Sequence, residues 1–292
     1  MTSTPGEPQD KPARASRAGR DLPAAIAVGV GLLAVIFVTL MWWHLGFILL
    51  LVGMTCLGAI EIHHALLHIK MRSAILPIVV GTVAIIGGTY LAAILQPVTD
   101  IAGHEVLLGC LAVTVLLALI WRMPGGADGY VRDAAASLFT ISYLPLLASF
   151  VALILAMPGG TGKVVALALC VAASDTGGYA VGATLGKHPM APNISPKKTW
   201  EGMAGSTVVA AVVGSVVAVY VLGMPWWFGL VLGLSCVVFG TAGDLIESLI
   251  KRDVGIKDMS SILPGHGGVM DRMDSVLVAA PAAWLLFTQV PV

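Results

Sequence analysis

Apolar residues in this chain come in long, nearly unbroken runs rather than in the spaced stripes of a helix packed on a soluble core. A helix needs about 20 mostly apolar residues to cross a bilayer. Nine runs meet or approach that length: Pro23–Met41, Leu45–Ile60, Ile75–Leu95, Ile101–Ile120, Ala134–Ala156, Val164–Ala183, Met203–Leu222, Trp226–Ile250 and Ser275–Val290. The second and last are short, and the sixth and eighth carry polar residues. The pattern predicts an all-α integral membrane protein, a polytopic bundle of about nine transmembrane helices. Residues 1–22 form a basic, Pro/Ser/Ala-rich tail expected to be disordered on the cytoplasmic surface. Residues 23–292 form one transmembrane domain.

Composition agrees. Of the 292 residues 58% are hydrophobic and 11% are charged, against about 25% charged in soluble domains. Net charge is zero, so nothing draws the chain to nucleic acid. Cys56, Cys110, Cys170 and Cys236 each sit inside an apolar run without metal-ligand spacing and are expected to pack as small apolar residues.

Charge placement orients the bundle. With the N-terminus inside and nine alternating spans, fifteen of the sixteen Lys and Arg fall inside, and only Lys163 falls outside. Positive residues favour the cytoplasm, so the N-terminus is expected inside and the C-terminus outside. The longest inside connections, Thr184–Gly202 and Lys251–Asp274, are polar and Gly/Pro-rich. Loops on a rigid scaffold are where chemistry tends to sit.

Acidic residues inside apolar runs sharpen this. Asp175 lies within the sixth run and Asp244 near the inner end of the eighth. An Asp at the centre of a lipid-embedded helix costs about 2.5–3.5 kcal/mol, which points to a functional reason. Asp271 and Asp274, three apart at the start of the ninth span, share a helical face; so do Asp244, Glu247 and Lys251. These groups can meet at the cytoplasmic end. Clustered carboxylates need a cation between them, and Mg²⁺ binds one or two carboxylates while substrate phosphates complete its shell. Lys251, Arg252, Lys257, Arg272 and the Gly-rich run Pro264–Gly268 surround them, and glycine-turn N–H groups hold phosphate oxygens. The residues alone therefore predict a Mg²⁺–phosphate site at the inner membrane surface.

The 27 residues from Ser248 to Asp274 closely resemble the signature of the phosphatidate cytidylyltransferase (CDP-diacylglycerol synthase) family: Ser248, Lys251-Arg252, Lys257-Asp258, Pro264, His266-Gly267-Gly268 and Asp271-Arg272-Met273-Asp274. A second block, Ser174-Asp175-Thr176-Gly177 with Gly186-Lys187 and Ile194–Gly202, is also similar; Ala183 stands where members often carry Arg. The sharp resemblance covers 174–274, the expected catalytic face. It implies transfer of CMP from CTP to phosphatidic acid, with pyrophosphate released. The expected metal ligands are Asp244 and Asp271, then Asp274 and Asp175, with Mg²⁺ as cofactor and a second cation kept open. Asp244, Lys251, Asp271 and His266 are the expected catalytic residues. Ser174, Lys197, Lys198, Ser248, Arg252, Lys257, Gly267, Gly268 and Arg272 are expected to bind substrate. The resemblance also implies a homodimer in a bacterial inner membrane, although the residues give no interface signal of their own.

Other patterns compete. Gly159-Gly160-Thr161-Gly162-Lys163 suggests a phosphate loop, but Val164 stands where Ser or Thr should be, so a turn is expected. Glu61, His64 and His68 have metal-capable spacing but no partner motif, and read as an interfacial cluster. A CTP-dependent polyprenol kinase would transfer the γ-phosphoryl group, and the full signature speaks against it. An ion-coupled transporter would spread polar groups through the midplane, whereas these gather at one face.

Overall fold

The computed structural model describes residues 22–260, 262 and 267–290. The N-terminal tail before Leu22 and His266 lie outside the described residues. The chain is a bundle of helices: α1 (Leu22–Trp42), α2 (His44–His68), α3 (Ile75–Val83) and α4 (Thr89–Thr99) joined through a π-helical turn (Ala84–Gly88), α5 (Gly103–Arg122), α6 (Tyr130–Tyr143), α7 (Pro145–Ala156), α8 (Gly160–Leu185), α9 (Trp200–Tyr220), α10 (Trp226–Asp253) and α11 (Met270–Gln289). Among the described residues, seven helical stretches are long and apolar enough to cross a membrane.

Three of the rods depart clearly from their apolar runs. The second continues to His68, well past Ile60, because its last two turns bury Glu61, Ile62, Ala65 and Leu66 inside the protein. The fifth run is broken between α6 and α7 at Leu144-Pro145; proline has no N–H for the preceding turn and fits the first turn of a new helix. The last helix begins at Met270, five residues before Ser275. The all-α expectation also missed a small antiparallel hairpin, β1 (Pro189–Ala191) and β2 (Ser195–Thr199), with Pro189 opposite Thr199 and Ala191 opposite Ser195.

Helices α8, α9 and α10 form the tightest part of the bundle. Between α8 and α9 the backbones nearly touch: a Cβ on Gly177 would stand 2.8 Å from the Gly205 carbonyl, and one on Gly205 2.7 Å from the Gly177 carbonyl. Small residues permit such approach where lipid supplies no hydrophobic drive between helices. At the hairpin end, buried Asp133 accepts from the Arg72 N–H at 2.9 Å and from Arg122 Nε at 2.6 Å. This ties the α2–α3 connection to the α5–α6 connection. At the other end, His44 Nε2 meets Thr161 Oγ1 at 2.8 Å, joining the α1–α2 corner to the start of α8.

Candidate active site

The hairpin is held over the ends of α8 and α10 by specific contacts. Thr199 caps α9, its Oγ1 accepting from the Gly202 N–H at 3.1 Å. Glu201, in the first turn of α9, accepts from the N–H groups of Lys187 and His188 at 3.2 Å each and meets His188 Nδ1 at 2.5 Å. Arg252 Nε donates to the Ile194 carbonyl at 3.4 Å, fastening the end of α10 to the hairpin turn. These bonds aim β2 so that Lys198 pairs with Asp244 on α10.

Between the hairpin, α8, α9 and α10 lies a cavity of about 380 Å³. Ser174, Asp175, Lys197, Lys198, Thr199 and Asp244 line it. Ser206 Oγ donates to the Ser174 carbonyl at 2.7 Å, fixing the wall that carries Asp175. The cavity therefore combines two lysines and two carboxylates with hydroxyls, a lining suited to a metal-bound polyphosphate.

Two carboxylate pairs continue from it along the α10–α11 seam. Asp244 Oδ1 accepts from Ser275 Oγ at 2.7 Å, and Asp274 stands within hydrogen-bonding reach of Asp244. One turn on, Lys251 Nζ donates to Glu247 at 2.6 Å and to Asp271 at 2.8 Å, and the Asp271 carboxylate also takes the Gly268 N–H at 2.7 Å. Asp271 and Asp274 thus share a helix but serve different neighbours. Lys251, on the same face of α10 as Asp244 and two turns on, sits between Glu247 and Asp271, while Lys198 from the hairpin pairs with Asp244.

Three residues received no catalytic, binding or metal role from the sequence. Glu247 is buried, with Oε1 lacking any hydrogen-bond partner among the described residues; its spacing from Asp244 and Lys251 was the available signal. Tyr143, at the α6–α7 break, buries a hydroxyl without a hydrogen-bond partner among the described residues, within electrostatic reach of Asp244, Glu247 and Asp274. The third is Glu61. Far from an interfacial cluster, it is 2% exposed and accepts from Ser260 Oγ, from the Val269 N–H at 2.9 Å and from the Met270 N–H at 2.8 Å. Those last groups are open donors at the start of α11, where a carboxylate is well placed. Glu61 thereby locks the segment that presents Asp271. A Cβ on Gly268 would lie 2.8 Å from Glu61 Oε2, and Gly267 takes a φ of +83°; both glycines are required by this close, left-handed turn. His68 Nδ1 meets the His64 carbonyl.

Among the described residues no group of three or more Asp, Glu, His or Cys side chains is placed to hold a metal ion. Mg²⁺ needs no such cage, since waters and substrate phosphates fill most of its shell. The facing carboxylates of Asp244 and Asp274, and a Glu247 oxygen without a hydrogen-bond partner among the described residues, are hard oxygen donors, the kind that suits such an ion. Ser248 is half-buried on α10, and Lys257 is exposed on the turn beyond it.

A model of the cytidylyltransferase family matches residues 23–290. The chain is similar to a phosphatidate cytidylyltransferase of Mycobacterium leprae, 38% identical over 94% of this chain and 90% of that protein. It is similar to one of Mycobacterium tuberculosis strain H37Rv, 36% identical over 98% of this chain and 91% of that protein. With one of Bacillus subtilis it shares 45% identity over a shorter stretch, 39% of this chain and 42% of that protein.

Proposed function

The chain belongs to the cytidylyltransferase family, and from that premise we propose that it transfers CMP from CTP to phosphatidic acid, giving CDP-diacylglycerol and pyrophosphate. The observation that carries this is the cavity holding Asp175, Lys197, Lys198 and Asp244, opening beside the carboxylate–lysine seam of α10 and α11. One lipid phosphate and one nucleotide triphosphate must meet, and this is where cations and hard oxygen donors meet.

CTP takes the cavity, its phosphates held by Lys197 and Lys198. The lipid phosphate lies along the seam near Arg272. One of its oxygens attacks the CTP α-phosphorus in line; a new P–O bond forms, the bond to the β-phosphate oxygen breaks, and pyrophosphate leaves. The attacking phosphate is already an anion, so no covalent enzyme intermediate is required. Mg²⁺, held by Asp244 and Asp274 with Asp271 and Asp175 nearby, would neutralise charge on the phosphates. Lys251 holds Asp271 and Glu247 in register and adds positive charge. Ser174, Ser248, Arg252, Lys257, Gly267 and Gly268 complete the substrate surface, and His266 has the role of orienting phosphate.

The site faces the cytoplasm of a bacterial inner membrane in this reading, with nine spans, N-terminus inside and C-terminus outside, and with two copies associating as a homodimer. Supporting it, the hairpin end gathers the connections rich in Lys and Arg. The test is direct: purified protein, phosphatidic acid, CTP labelled in the α-phosphate, and Mg²⁺. Labelled CDP-diacylglycerol and unlabelled pyrophosphate should appear together and stop on chelation. Labelled CDP with a phosphorylated lipid would overturn the reading.

A further inference from the structure

Around the first turn of α11, on the face adjacent to the carboxylates, lies a groove of about 170 Å³ between α1, α2, α7, α8 and α11. Leu40, Leu51, Met54, Leu167 and Val276 supply aliphatic wall, and Arg272 is the charged residue among those lining it. The geometry of α11 makes this juxtaposition. Asp271, Asp274 and Ser275 turn toward α10, as their bonds to Lys251 and Asp244 show. Arg272 and Val276, four apart, share the adjacent face and turn into the groove. One helical turn thus separates a place for phosphate from a place for hydrocarbon.

The direction of the groove fits as well. Glu61 bonds the Met270 N–H, so it marks the depth at which α11 begins. Met54 and Leu51 precede Glu61 on α2 by seven and ten residues, which is about 10 and 15 Å further along the helix axis. The groove therefore runs from the level of Arg272 toward the middle of the membrane, the path an acyl chain follows below its headgroup. Hydrocarbon alone gives no preference for one lipid over another, since the surrounding tails are equally apolar; a guanidinium at the mouth does, because it pairs with an exposed phosphate monoester.

We infer that this groove seats an acyl chain of the phosphatidic acid substrate, with Arg272 holding the phosphate at its mouth. The inference rests on the function proposed above. Its test uses the intact protein in nanodiscs and a phosphatidic acid carrying a diazirine midway along one chain. Irradiation should label the segments holding Leu51, Met54, Leu167 and Val276. Excess dioleoyl phosphatidic acid should suppress labelling, and phosphatidylcholine with the same chain should label the groove at least about tenfold less, the selectivity of one good charged contact. Equal labelling by the two lipids, or labels confined to other faces, would overturn the inference. Ala168 also lines the groove, and Ala168→Phe should lower the ratio of kcat/KM for dioleoyl over dihexanoyl phosphatidic acid about tenfold by overpacking it. An unchanged ratio would count equally against it. Because labelling needs no turnover, the two readings separate. Selective labelling without CDP-diacylglycerol formation removes the reaction and keeps the groove; turnover without selective labelling removes the groove and keeps the reaction.

Discussion

The Asp271 carboxylate answers three partners at once, Lys251, the Gly268 N–H and, within reach, Glu247. Asp271→Asn keeps the size and removes the charge, so it should abolish turnover in a folded, membrane-inserted protein; near-normal kcat with unchanged Mg²⁺ dependence would take Asp271 out of the site. Lys251→Ala should lower kcat together with kcat/KM, and saturating CTP should not restore it, the signature of a group acting in the transition state. Lys163 is the control. It is buried, with its Nζ 5.6 Å from the centre of the Phe287 ring, so Lys163→Met, which keeps the buried stem, should leave turnover unchanged. Glu61 acts through position. Glu61→Gln turns one acceptor into a donor facing a backbone N–H and should lower kcat by about a hundredfold, the scale of an ångström-sized displacement of reacting groups. KM for CTP should hold, and Glu61→Asp should recover part of the rate. A rise in KM alone would assign Glu61 to binding instead. The clustered acids were legible because charge in an apolar run is conspicuous; Glu61 was not, since its partners lie 208 and 209 residues away and its local spacing with His64 and His68 suggested something else.

At the scale of elements, the long helices were legible from apolar runs, because bilayer thickness fixes a length that sequence can count. Their ends were not. The second helix outlasts its apolar run since the protein interior, not lipid, surrounds its last turns, and the Leu144-Pro145 break falls inside a continuous run. The hairpin escaped because β1 spans three residues beginning with proline and owes its shape to Glu201 and Arg252, bonds made outside it. That dependence is testable. Glu201→Ala should loosen the hairpin and raise KM for CTP more than it lowers kcat, whereas a pure loss of kcat would mean that the hairpin does not carry nucleotide. The α8–α9 contact is less forgiving. Gly177→Val forces the backbones apart and should cost about 1–3 kcal/mol, read as a lower melting temperature in detergent together with weaker CTP binding, because the same two helices form the cavity wall.

For the molecule as a whole, the orientation rests on charge counting and has a simple check. A cysteine in place of Asn193, in the hairpin turn, should react with impermeant maleimide only from the cytoplasmic side, and a tag after Val292 should be reached only from the other. Equal access for both would break the nine-span arrangement. The halves of the chain are not equal partners in the proposed chemistry: residues from Ser174 onward line the cavity and the seam, while α2 supplies the carboxylate that bonds the start of α11. That bond has a consequence in time. A ribosome adding about 5–20 residues per second makes Met270 about 10–40 s after Glu61, the interval for the 209 residues between them. Throughout it, the nascent chain holds in the membrane an acid whose partners do not yet exist. In the proposed reading the site is complete only once α11 has entered, so a polypeptide released before that helix is expected to be inert rather than half-active.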